Sequence, residues 1–317
     1  MTSHQWGVRI VGVSSVVGLF ERRQFLVSCA AYGLGSLAAS GNGRQTFKAC
    51  LRPETLPLSG QDSSGTWIGF GPDLLRDLLR RAMPGAEFEG CECLSWSRAL
   101  RSVQTGTLHF LLEVNYHPQR EHLMDFIGCT DTERAYLVAR EDLPVQRIGT
   151  LDDFTRLPGN VMVIASSVWD AEFEHRLVTD PEFGRSFVTE SNLKAPAHRP
   201  GSQHIQTSDA GFDVEMARAI LRKKITGIIV GAAHAARIIR AANLQTTPYG
   251  PADRLKAIDI DAFAPTFTYL VVSKQVAAKT RIRLRKAYEA ARQDGGFETL
   301  WSRWYPERAL PSDVSRL

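Results

Sequence analysis

In the run Asn115-Tyr116-His117-Pro118-Gln119-Arg120 the chain brings an amide, an imidazole and a guanidinium close together. The Arg120 guanidinium is a planar fork that meets a carboxylate with two hydrogen bonds. Glu121 and Asp125 lie close enough in sequence to take it in a surface ion pair instead. Asn115 and His117 both donate or accept hydrogen bonds. Further on, Ser166 and Ser167 end the apolar run Val161–Ala165 and stand where a helix would open into Val168 and Trp169. Free backbone N–H groups at such a start bind anions, or the hydroxyl simply caps them.

Other chemistries lack support. His109, His117, His122, His175, His198, His204 and His234 show no metal-ligand spacing, and His117 and His122 flank Glu121 in a pattern that is not H-E-x-x-H. There is no nucleophile elbow and no phosphate loop. No catalytic residue, metal or cofactor is expected.

The 317 residues suffice for two medium domains or one large one. Setting aside the three arginines and one glutamate of residues 1–40 leaves 35 basic and 33 acidic residues. No basic stripe survives, so nucleic acid is not an expected partner. Glu21-Arg22-Arg23-Gln24-Phe25-Leu26 precedes the mostly apolar Val27–Ala39 and the small residues Ala38-Ala39-Ser40. This layout reads as an export signal over residues 1–40, of the twin-arginine kind, and implies a periplasmic location. A buried N-terminal helix is the alternative. Neither Ile10–Phe20 nor Val27–Ala39 is an unbroken apolar span of about 20 residues, which disfavours an integral membrane protein. Cys50, Cys91, Cys93 and Cys129 lie beyond the signal, where an oxidising compartment permits disulfides without fixing their pairing.

Strands and helices alternate along the chain. Strands are predicted at Phe47–Leu51, Phe88–Leu94, Leu108–Val114, Val161–Ala165, Ile225–Val230 and Thr268–Val272. Helices are predicted after Gly71-Pro72-Asp73, after Ser95 up to Gly106, after a capping Asp213, and over Leu151–Phe154, Ala233–Ala242, Ala277–Ala291 and Phe297–Trp304. Pro53–Gly65 and residues 191–212 read as loops. The alternation indicates an α/β protein with mainly parallel sheets.

Several stretches together resemble the bacterial extracellular solute-binding proteins of family 3, the polar-amino-acid binders of ABC importers. They are Trp67-Ile68-Gly69-Phe70-Gly71-Pro72-Asp73-Leu74, Trp96-Ser97-Arg98-Ala99-Leu100, Asn115 to Arg120 with Met124-Asp125-Phe126, Tyr136 to Arg140, Glu215 to Gly231, Tyr269 to Lys274, and Gly295 to Tyr305. The resemblance implies a two-lobed periplasmic-binding-protein fold of type II, its sheets joined by two hinge strands. Residues 46–137 and 273–317 would form lobe 1, and residues 138–272 lobe 2. It assigns Arg120 to the ligand carboxylate, with Asn115 and His117 in place of the family's Ser and Thr. Tyr116 and Trp96 would offer aromatic walls, and Ser166 and Ser167 a second-lobe contact. The family carries two acids near Gly231, one of them meeting the ligand's ammonium, but the sequence here is Thr226-Gly227-Ile228-Ile229-Val230-Gly231-Ala232. Glu113, where relatives usually carry Gly, is a candidate for the missing charge; a ligand without an ammonium is the alternative.

The expected function is capture of a small carboxylate-bearing or amino-acid-like ligand for an ABC importer, by a monomer that meets importer membrane subunits. A dehydratase-like enzyme using Glu113 or Glu174, or a sensing partner of a signalling receptor, are the alternatives.

Overall fold

A computed structural model describes residues 45–92, 96–189, 209–244 and 254–311. The export signal expected over residues 1–40, Cys93, Ser95 and most of the loop 191–212 lie outside them. In Thr46–Leu51, Phe47, Ala49 and Leu51 are buried while Thr46 and Lys48 are exposed. This period of two suits a strand with one face in a core. It sits in a five-stranded sheet ordered Glu87–Glu92, Thr46–Leu51, Phe110–Asn115, Thr266–Ser273, Met124–Glu133. Thr46–Leu51 pairs in parallel with both its neighbours, and Thr266–Ser273 runs antiparallel to both of its own.

The helix Phe70–Ala82 turns Leu74, Leu75, Leu78 and Leu79 onto this sheet. Gly69 precedes it at φ 121, with Leu58 O 2.6 Å from where a Cβ would stand, so only glycine fits the entry. Phe70 packs edge-on against Phe297, Trp301 and Tyr305, which ties the C-terminal helices Ala278–Gln293 and Gly296–Trp304 into the first core.

The second sheet is ordered Phe187–Thr189, Val161–Val163, Gly227–Gly231, Ala135–Arg140, Leu255–Ile260, Arg147–Ile148. One face carries Phe154, Phe173 and Phe183, and the other packs on helices Asp209–Leu221 and Ala232–Leu244. Sheet membership changes at Arg134, between Glu133 and Ala135, and again between Ile260 and Thr266. Both crossings fall earlier than the expected boundaries at 137/138 and 272/273, because Tyr136 and Leu137 already pair in the second sheet and Thr266–Val272 in the first.

Three local expectations change. Pro53–Gly65 is no plain loop: Glu54–Thr55, Ser59–Gln61 and Trp67–Ile68 form a small antiparallel sheet. Asp213 lies within its helix and not at its start, since the helix already begins at Asp209. The helix expected from Ser166 starts at Ala171, where Asp170 accepts from Glu172 N and Phe173 N. Cys50 is disulfide-bonded, whereas Cys91 and Cys129 keep their thiols.

Candidate functional site

Asn115 ends a strand of the first sheet, and Ser166 follows Val161–Val163 of the second. Ligands of open α/β sheets sit off such strand ends. Here the two ends meet. A short turn, Pro118–Arg120, is capped by His117, whose Nδ1 accepts from Gln119 N at 3.3 Å. The turn folds Arg120 back until it is 8% exposed. Its Nη1 donates to Asn115 O at 2.7 Å and its Nη2 to Ser166 O at 2.5 Å, across the two lobes. Trp96 Nε1 donates to the same Ser166 carbonyl at 3.3 Å. Asn115 Nδ2 donates to Val168 O at 3.0 Å and to Thr266 Oγ1 at 3.1 Å.

Both bonded partners of Arg120 are thus neutral carbonyls. Burial pulls its pKa down to about 10, opposed by the nearby Glu174, so it stays charged at neutral pH. Burial raises the pKa of Glu174 in turn, and its Oε1 is buried without a hydrogen bond. His117 is pushed below the usual imidazole range by burial and then by Arg120.

Ser166 and Ser167 act differently from expectation. Ser166 has φ 67, the left-handed region, so the chain reverses there and presents a carbonyl, not N–H groups, to lobe 1. Ser167 spends its N–H and its hydroxyl on Ile164 O, at 3.0 and 2.6 Å. No helix start exists at this turn to hold an anion. Tyr116 is exposed; its hydroxyl donates to Glu121 Oε1 at 2.7 Å, and its ring rests on Phe126 and Tyr269 of its own lobe. Among the described residues, no side-chain contact of Tyr116 joins it to the Arg120–Ser166 group. Trp96, Asn115 and Arg120 are brought together with Ser166.

Glu113 adopts φ 58 within the strand Phe110–Asn115, a conformation that favours glycine, and Arg52 Nη1 lies 4.0 Å from its Oε2. Gly231 is buried at the end of its strand, and a Cβ there would stand 1.6 Å from Glu133 Oε1. Glu133 and Thr266 are site-facing residues that the sequence reading missed. Thr266 Oγ1 touches Asn115 Nδ2 and lies 3.5 Å from Glu133 O. The available signal was an acid two residues before the strand Ala135–Arg140.

The order of the first sheet, the two crossings and the opposed strand ends define a two-lobed periplasmic-binding-protein fold of type II. A family model for bacterial extracellular solute-binding proteins, family 3, matches residues 47–307, and the chain belongs to that family. Solved structures agree on the fold. An ancestral arginine-binding protein bound to glutamine superposes with a TM-score of 0.57 at 15% identity, over 84% of this chain and 100% of its own. A structure reported for glutathione import in Gram-positive bacteria via GshT and the cystine ABC importer TcyBC of Streptococcus mutans gives 0.59 at 13%, over 85% and 98%. A histidine kinase sensor domain with similarity to periplasmic binding proteins gives 0.58 at 16%, over 83% and 96%. No curated protein sequence matches significantly.

Proposed function

We propose that this chain is an exported, periplasmic solute-binding protein that captures a small carboxylate-bearing or amino-acid-like ligand between its lobes and delivers it to an ABC importer. The observation that carries this reading is the buried guanidinium of Arg120, hydrogen-bonded among the described residues to two backbone carbonyls at the interlobe contact. A desolvated cation on neutral partners gains most from an anion of matching shape. A ligand carboxylate that displaces Ser166 O receives the same fork, and lobe closure about residues 134 and 261–265 encloses it. Neighbours of the same fold bind arginine or glutamine or serve glutathione import, which supports the ligand class. The chain acts as a monomer, with the importer's membrane subunits as its protein partner.

The test is a thermal-shift screen with amino acids, dicarboxylates and other small acids. A ligand that binds only the folded state raises the melting temperature. Arg120→Ala removes the shift for every carboxylate; an undiminished shift sinks the reading. Glu174 favours one other reading, because a carboxyl pushed toward its neutral form beside Arg120 is suited to act as a general acid. Turnover of a bound acid by the purified protein, lost in Glu174→Gln, would establish that alternative.

A further inference from the structure

Glu133 has a setting that a structural carboxylate does not need. It closes the strand Met124–Glu133, one residue before the chain enters the second sheet. Its carboxyl lies against Gly231 of the opposite lobe, in the space a side chain there would fill. Among the described residues this carboxyl makes no hydrogen bond and no ion pair; only its backbone carbonyl is engaged, by Thr266 Oγ1. The residue keeps partial exposure although desolvation is the strongest influence on the acid. A carboxyl in low dielectric without partners is costly to ionise, and replacing it in such a place is ordinarily stabilising unless it is used.

The link to Arg120 runs through Asn115 and Thr266. Arg120 donates to Asn115 O, Asn115 Nδ2 donates to Thr266 Oγ1, and Thr266 Oγ1 donates to Glu133 O. The segment bearing the Arg120 fork and the segment bearing the Glu133 carboxyl are therefore tied together where the chain passes from the first sheet to the second. The second lobe adds no acid where its strand Gly227–Gly231 runs into Ala232 and Ala233. Glu113 and Asp131 raise the negative potential at Glu133, against Arg52 and Arg308.

We propose that Glu133 is the second anchor of the ligand, receiving an ammonium or guanidinium group of the same solute whose carboxylate Arg120 holds. This rests on the carboxylate-binding reading above and narrows it to zwitterions or basic amino acids. Gly231 is part of the device, because the missing side chain leaves the carboxyl its place on the far lobe and lets closure bring that lobe onto the bound cation.

Titration calorimetry of the purified chain tests this with L-lysine, L-arginine and 5-aminopentanoate against pentanoate and glutarate. The amine-bearing acids bind about tenfold or more tighter than the amine-free ones. Glu133→Gln removes that preference and leaves pentanoate affinity within about twofold. Gly231→Ala, which displaces the carboxyl without removing it, weakens the amines in the same direction. Glu133→Asp serves as a second charged variant, and melting curves establish that each variant is folded. Equal binding of pentanoate and 5-aminopentanoate, or an amine preference that survives in Glu133→Gln, overturns the proposal while leaving Arg120 in place. If none of the five acids binds and Arg120→Ala changes nothing, the carboxylate reading itself falls and Glu133 loses its role with it.

Discussion

Arg120 Nη2 lies 2.5 Å from Ser166 O, so the guanidinium of one lobe is bonded to the backbone of the other. That geometry depends on the left-handed φ of 67 at Ser166, which a residue with a Cβ adopts at a cost of about 1 kcal/mol. Ser166→Gly is expected to leave the turn intact and raise stability by up to ~1 kcal/mol, while Ser166→Val lowers it by about 1–3 kcal/mol. Urea denaturation reads both. Equal midpoints for the glycine and valine variants would mean that the turn is not held in this conformation.

Asn115 fastens the same two lobes from the other side. Its amide serves Val168 O and Thr266 Oγ1, so Asn115→Ala leaves a part-buried carbonyl and a hydroxyl without that donor. The expected loss is about 1–3 kcal/mol. Since one of the bonds crosses between lobes, the variant should also populate a more open form. Small-angle scattering would then give a larger radius of gyration than the wild type. An unchanged radius together with an unchanged urea midpoint would show that the amide fastens nothing.

The alternation of strands and helices was legible because apolar residues recur at the periods those elements require, as in Thr46–Leu51 and Phe70–Ala82. Arg120 was legible because a guanidinium five residues past a strand end stands in a recognisable run. Ser166 was not, since serine carries no sign of positive φ in the way glycine does. Asp213 was misread as a cap because its true partners, His234 and Arg237, lie 21 and 24 residues away. Glu133 escaped notice because Met124–Glu133 buries both faces over most of its length and shows no alternation to reveal a ten-residue strand. Local pattern reports local structure; these residues are defined by what a second lobe brings to them.

Asp213 Oδ1 lies 2.7 Å from His234 Nε2, and Arg237 Nε donates to Asp213 Oδ2 at 2.8 Å, with the aspartate 5% exposed. Burial holds His234 below the usual imidazole range, so between its folded pKa and 6.5 the unfolded chain binds the proton and the folded chain does not. Stability therefore rises with pH through that window and is lost on acidification below about 6.5. His109 and His117 shift in the same direction, so the comparison must be with a variant. His234→Gln should lose less melting temperature between pH 7 and pH 5 than the wild type does. Removing the acid is harsher: Asp213→Ala strands a buried guanidinium and is expected to cost about 3–5 kcal/mol.

Glu133 imposes the opposite slope. Burial first, then Glu113 and Asp131, raise its carboxyl from 4.5 to about 8, against the pull of Arg52 and Arg308. Between those values the folded chain keeps a proton that the unfolded chain has released, so stability falls as pH rises and the full penalty is present above pH 8. Glu133→Gln carries no such proton and should gain on the wild type steadily from pH 5 to pH 8, reaching a few kcal/mol at the alkaline end. Because His234 acts in the acid half of the range and Glu133 across all of it, the wild-type curve should peak between them. The peak should move to higher pH when Glu133 is replaced and to lower pH when His234 is. Denaturation midpoints at closely spaced pH values read the two displacements separately. A Glu133→Gln curve that runs parallel to the wild type would mean that this carboxyl is ionised throughout, already neutralised by a partner, and so not poised to receive a cation.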